Sequence, residues 1–191
     1  ANELAVLIEN RDRNISREVC FSIEKAFVED DFERAEKEFE YITKNKKYLY
    51  ITGEKYTYYE KQLRDKQNAE YLLENTENLI EKLRGAIFLS KIGEARRNIE
   101  ILNYQIEGAK KHLPPATVSK FTEDVLKLSR LLERQEDSLV AVNLNILEKK
   151  GVDPAIDYMN QSLRKSGIRM EKIAIVNKAI MDAPQATNNS K

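Results

Sequence analysis

One cysteine and one histidine are all that this 191-residue chain offers of the side chains that most often hold metals or attack substrates. Cys20 alone can close no intramolecular disulfide and build no multi-cysteine metal site, so the fold has to rest on packing. His112 alone cannot supply the two Glu-x-x-His pairs of a carboxylate-bridged metal bundle. It stands in "AKKHLPP" at a predicted helix C-terminus, where a cationic side chain meets exposed carbonyls favourably. The six glycines are scattered at 53, 85, 93, 108, 151 and 167, which leaves neither a G-x-G-x-x-G nor a G-x-x-x-x-G-K-[ST] loop for phosphates. Long hydrophobic runs are missing too: "LAVLI" and "AIFL" fall far short of the roughly 18 to 20 residues that cross a bilayer. An excess of one charge is also absent. With 32 Lys plus Arg against 32 Asp plus Glu the formal net charge is zero. That balance argues against a general nucleic-acid binder, which depends on positive charge to release counterions, and against disorder. A non-enzymatic chain without cofactor or metal is the expectation.

What the chain does have is helix-forming composition between few breaks, and the fold class expected is all-α. After Pro114-Pro115, a stripe runs through Val118, Phe121, Val125, Leu128, Leu132, Gln135, Leu139, Val142 and Ile146 in steps of three and four, apolar throughout except at Gln135. Leu126, Leu131, Leu144 and Leu147 widen it, which predicts a long helix packed on several neighbours. That helix should stop at Gly151 and the next should open with Asp153 as N-cap and Pro154 first. Ser166-Gly167 reads as a further helix end, with a last helix from about 168 to 181. Leu72, Leu79 and Ala86 with Leu73, Ile80 and Ile87 mark another long helix from about 58 to 88, followed by one from about Gly93 to His112 after a turn at Gly93. Near the N-terminus "SREVCFSIEKAFVED" and "DFERAEKEFEYITKN" read as a helical hairpin opened by Ser16 as N-cap. One domain over 1–183 and a polar tail over 184–191 are expected. The sequence starts at Ala1, which fits a trimmed chain or a removed signal peptide equally, with a cytoplasmic setting favoured.

Phe32, Ala35, Phe39 and Ile42 share their large-small-large-large order with Ile92, Ala95, Ile99 and Leu102, and Val152, Ala155 and Met159 form a poorer third copy. The stretch "FVEDDFERAEKEFEYI" resembles the tetratricopeptide pattern, and the resemblance implies a short αα-hairpin array. That family repeats every ~34 residues, whereas the alanines here stand at 35, 95 and 155. An antiparallel helical bundle is therefore expected first and the hairpin array second.

Five of nine tyrosines crowd into "KKYLYITGEKYTYYEK". Period-two Tyr, Ile and Thr around Gly53 fits a small β-hairpin near 47–59, while Tyr56, Tyr59 and Leu63 on one face fit the start of the long helix. On either reading the segment provides a candidate partner-binding surface: Lys47, Tyr48, Tyr50, Lys55, Tyr56, Tyr58 and Tyr59. Tyrosine combines a large apolar face with a hydrogen-bonding tip, which suits protein interfaces. The expected partner is another protein, with self-association through the 118–147 helix as one form of it; nucleic acid and a membrane surface are disfavoured. Two alternatives remain, a nucleic-acid-associated regulator using the basic 44–66 segment and an enzyme with a dispersed carboxylate site. Residues 29–40 carry seven acids against two bases and residues 44–66 seven bases against three acids, so complementary faces are a further expectation. The basic stretch around 164–178 has an available intramolecular partner in the acidic one.

Overall fold

Each long helix of this protein folds back on a shorter one through a turn of one to three residues. The computed structural model describes residues 2–183, to which every structural statement below refers. Its order is α1 (Asn2–Val28), α2 (Phe32–Lys44), α3 (Gly53–Phe88), α4 (Ile92–Ala109), α5 (Pro115–Lys150), α6 (Val152–Tyr158), a π-helical turn (Met159–Leu163), α7 (Arg164–Ser166) and α8 (Met170–Asp182). The chain is all-α, and no strand occurs among the described residues. The hairpin expected near 47–59 is absent. Gly53 instead opens α3, and Lys55 N–H bonds the Thr52 hydroxyl at 3.3 Å while Tyr56 N–H bonds the Thr52 carbonyl at 3.0 Å, a helix start. The chain divides into two compact units, Ala1–Tyr71 and Leu72–Lys191. The tail expected at 184–191 lies outside the described residues.

The hairpin turns are built alike. At the first, Asp30 takes φ +56° and Asp31 N–H reaches back to the Ala26 carbonyl at 2.9 Å. At the second, Ser90 takes φ +56° and Lys91 N–H reaches the Ala86 carbonyl at 2.9 Å. Both are Schellman-type helix ends, and both place a non-glycine residue in the left-handed region. The second corrects the turn expected at Gly93, which lies inside α4. α5 stops at Gly151 as expected, but Gly151 itself is the N-cap of α6, ahead of Asp153 and Pro154.

α2, α4 and α6 begin at Phe32, Ile92 and Val152, so the hairpins recur every 60 residues. Burial recurs in the same register. Ser16, Cys20 and Ile23 are buried on α1, Thr76, Ile80 and Leu83 on α3, and Glu136, Val140 and Asn143 on α5. Opposite them Ala35, Ala95 and Ala155 have no exposed surface. A methyl at this point lets the two helices approach, while the core position about two turns further along is large: Ile42, Leu102 and, past the buried Met159, Leu163. Leu163 comes one residue late. The π-helical turn at Met159–Leu163 takes up that extra residue and returns the large side chain to the core face. Burying each such Leu or Ile contributes roughly 1.5 to 3 kcal/mol.

In every copy the first of these three long-helix positions is polar and ties down later chain. The Ser16 hydroxyl, bonded to the Asp12 carbonyl at 2.6 Å, accepts Tyr50 N–H at 2.9 Å. Ser16 is thus mid-helix rather than the N-cap expected. Thr76 accepts the Gln105 amide at 3.0 Å. Glu136 accepts the Arg169 N–H at 3.2 Å and pairs with the Arg96 and Arg169 guanidinium groups. The stripe of α5 lies against α4, α6 and α8 within the second unit.

Candidate functional site

The tyrosine-rich connection is held by its own backbone. Asn45 caps α2, its N–H and its side-chain amide both reaching the Tyr41 carbonyl, at 3.1 and 2.9 Å. Tyr48 N–H returns to the Asn45 carbonyl at 2.8 Å, and Tyr50 N–H is fixed on Ser16 of α1. Leu49 and Ile51 pack on the first unit's core. Alternation then turns Tyr48 and Tyr50 outward, 68% and 57% exposed.

The candidate residues divide into three environments. Tyr50 and Lys55 line an open groove of about 440 Å³ with Arg13, Ser16, Arg17, Cys20, Phe21, Glu24 and Thr52. Tyr56 sits on the α2 side, its ring 4.9 Å from that of Phe39 and 4.2 Å from the Lys46 ammonium. Tyr59 has no exposed surface and belongs to the core, with Tyr58 half-exposed beside it against Phe27. Lys47 and Tyr48 are exposed on the connection itself. The structure therefore brings two of the seven candidates into one groove and distributes the rest around it.

Lys55 and the Tyr59 hydroxyl both donate to Glu24, at 2.8 and 2.7 Å. These bonds, Lys55 first, hold the Glu24 carboxyl below the usual carboxylate range, and the same pair raises Lys55. Burial, reinforced by the Glu24 bond, pushes the Tyr59 phenol well above its ordinary value. Glu24 is thus a fixed anion between two donors, a structural strut at the end of the groove. Arg13 lies 5.4 Å from the Tyr50 ring centre and pairs with Glu9 at 2.6 Å. Arg17 makes no ion pair among the described residues. Arg13, Arg17 and Phe21 follow one another at i, i+4 and i+8, so they form one stripe along α1 beside Tyr50. This stripe escaped the sequence reading. Its spacing was a signal, but nothing local told that Phe21, next to the buried Cys20, is 69% exposed.

A second groove of about 620 Å³ lies between α2 and α3 and includes Glu33, Glu36, Glu40 and Glu60 over Phe39 and Leu63. Its carboxylates are engaged: Glu33 by Lys37, Glu36 by the Gln67 amide, Glu40 by Lys44 and Glu60 by Arg64. The Lys44 hydrogen bond holds Glu40 below its ordinary pKa. The basic 164–178 stretch also finds local partners, Arg169 on Glu133 and Glu136 and Lys172 on Asp137. The intramolecular partner expected for these two bases, the acidic 29–40 segment, is therefore replaced by α5.

Among the described residues no cluster of three or more His, Cys, Asp or Glu is placed to hold a metal ion, and no helix is long and apolar enough to cross a membrane. No protein-family model, no curated protein and no solved structure matches the chain.

Proposed function

We propose that this chain is a non-enzymatic protein-interaction module that docks a partner through the Tyr50 groove of its first unit. The observation that carries this reading is one constellation: Tyr50 and Phe21 half or more exposed, the cations Arg13 and Arg17 between them, and a backbone pinned by the Ser16 bond to Tyr50 N–H. A rigid aromatic anchor next to arginine is the composition of an interface hot spot, and a preset backbone lowers the entropy lost on binding. The nucleic-acid alternative draws less support, because the bases of 44–66 are largely engaged: Lys44 with Glu40, Lys55 with Glu24, Arg64 with Glu60 and Lys66 with Glu70. The dispersed-carboxylate enzyme rests on the α2–α3 groove, whose glutamates face lysines, an arginine and an amide rather than one another. Self-association through 118–147 has its seam already packed on α4, α6 and α8.

The test is site-directed photo-crosslinking in source-cell lysate, with a photoreactive residue in place of Tyr50 and, separately, of Tyr104 as an exposed control in the second unit. A discrete protein adduct at position 50 that is lost on the Arg17→Glu background, and absent at position 104, is the expected result. Equal adducts at both positions, or none at 50, would sink the reading.

A further inference from the structure

The repeat itself indicates what this groove takes. At the place on α5 that corresponds to Ser16-Arg17 of α1, the third hairpin carries Glu136-Asp137. Those two carboxylates receive Arg169 and Lys172 from the segment that enters the next helix. Tyr50 N–H on Ser16 and Arg169 N–H on Glu136 are matching bonds, so the two sites share one register. In the third hairpin an anion-bearing helix meets a cation-bearing segment and the site is closed. In the first hairpin the helix offers Arg13 and Arg17 and the segment again offers a cation, Lys55, which Glu24 occupies. Among the described residues Arg17 has no carboxylate partner and Arg13 has only the exposed Glu9 of its own helix, and a groove of about 440 Å³ stands open beside them.

We infer that this groove binds an acidic peptide segment of another protein, two of its carboxylates lying on Arg13 and Arg17 and an apolar side chain on Phe21 and Tyr50. The inference rests on the docking function proposed above and names its partner's chemistry. Arg13 and Arg17 are one helical turn apart, with about 5 to 6 Å between such Cβ atoms. Alternate side chains of an extended strand stand roughly 6.6 Å apart on one face, so an acid-x-acid sequence spans the two guanidinium groups. Each guanidinium can take a carboxylate through paired N–H donors. The Arg13–Glu9 pair is exposed on both sides and gives way at small cost. Phe21, one turn further, fixes the polarity of the occupant: carboxylates first, apolar group next.

The test is fluorescence anisotropy of the full chain with labelled peptides of about 12 residues carrying acid-x-acid followed by Leu or Phe. Peptides with Asn and Gln or with Lys at the acidic positions, and oligothymidylate of similar length, serve as competitors. The acidic peptide should bind, weaken as salt shortens the screening length, and lose about tenfold or more in affinity, near 1.4 kcal/mol, on Arg17→Glu. Arg17→Gln should lose part of it, and Glu36→Lys in the other groove should change nothing, with helicity and melting verified for each. Equal binding of the amide peptide, preference for the lysine peptide or the oligonucleotide, or indifference to Arg17→Glu overturns the inference. So does failure of every acidic peptide. If position 50 still crosslinks a protein in lysate, only the acidic chemistry fails; if that is lost as well, the docking function falls with it.

Discussion

Glu136→Ala should destabilise the second unit about as much as truncating a buried aliphatic core residue. Glu136 is 1% exposed, and its two oxygens accept the Arg169 backbone N–H at 3.2 Å, the Arg169 side chain at 3.0 and 3.1 Å, and the Arg96 guanidinium. One carboxylate therefore binds α4, α5 and the turn before α8. Removing one member of a buried ion pair costs about 3 to 5 kcal/mol when the stranded charge stays dry. Here the two arginine side chains are 31% and 33% exposed, so their heads regain part of their hydration. The stranded Arg169 N–H adds the loss of a charge-assisted bond, about 1.5 kcal/mol or more. Together these place the cost near 3 kcal/mol, the lower end of the range. Urea unfolding followed by circular dichroism reads it: with a slope of about 2 kcal/mol/M, the second unit's midpoint falls by about 1.5 M. Glu136→Gln, which keeps an acceptor and loses the charge, should fall about half as far. A shift below about 0.5 M for the alanine variant, or glutamine worse than alanine, would refute the reasoning.

Three other outcomes follow from the geometry. Asn143, fully buried where the other copies have Ile23 and Leu83, donates to the Ala155 carbonyl at 3.0 Å and leaves its own carbonyl oxygen without a partner. The Ala155 carbonyl also accepts the Met159 N–H, so Asn143→Leu should stabilise by about 1 kcal/mol, and a lowered urea midpoint would count against the repeat register. Gly167 has φ +78°, and a Cβ there would stand 2.8 Å from Gly93 Cα, whereas Gly151 has φ +91° in open space. Gly151→Ala should therefore cost about 1 to 3 kcal/mol from backbone strain alone, and Gly167→Ala should cost more, because a backbone clash adds to its left-handed strain, an ordering that paired denaturation curves check. The raised Tyr59 pKa stabilises the fold below the unfolded-state tyrosine pKa of about 10 and loses that contribution as pH rises beyond it. Raised Lys55 acts in the same direction, while the lowered Glu24 contributes above about pH 4.3 and loses its part as pH falls through its folded value. Tyr59→Phe should accordingly cost about 1 kcal/mol at neutral pH, with the gap to the native chain narrowing above about pH 10; a constant gap would contradict it.

Helix class and most helix ends were legible, because proline, glycine and apolar periodicity mark them locally. Gly151 stops α5 and Gly167 closes α7, as their spacing implied. The hairpin at 28–32 and the alanines at 35, 95 and 155 were also readable, since a small residue facing a neighbouring helix is a local choice. Polar core positions were not. Apolar counting put Gln135, Leu139 and Val142 on the α5 seam, whereas Glu136, Val140 and Asn143 are the buried ones in that stretch, and nothing in the sequence revealed that arginines 33 and 40 residues away satisfy Glu136. Ser16 looked like a cap for the same reason: its partner, Tyr50 N–H, lies 34 residues on. Gly93 looked like a turn, but its need is for space, with the Gly167 Cα 3.5 Å from the point a Cβ would occupy. The tyrosines were visible as a cluster, but which of them face solvent depended on the connection's bond to α1.

Hydrogen exchange of the chain with and without the protein captured at position 50 tests the central claim most directly. The account predicts new protection confined to residues 13–24 of α1 and the 47–55 connection. Protection of the α2–α3 acidic groove instead, or of the second unit alone, would contradict it.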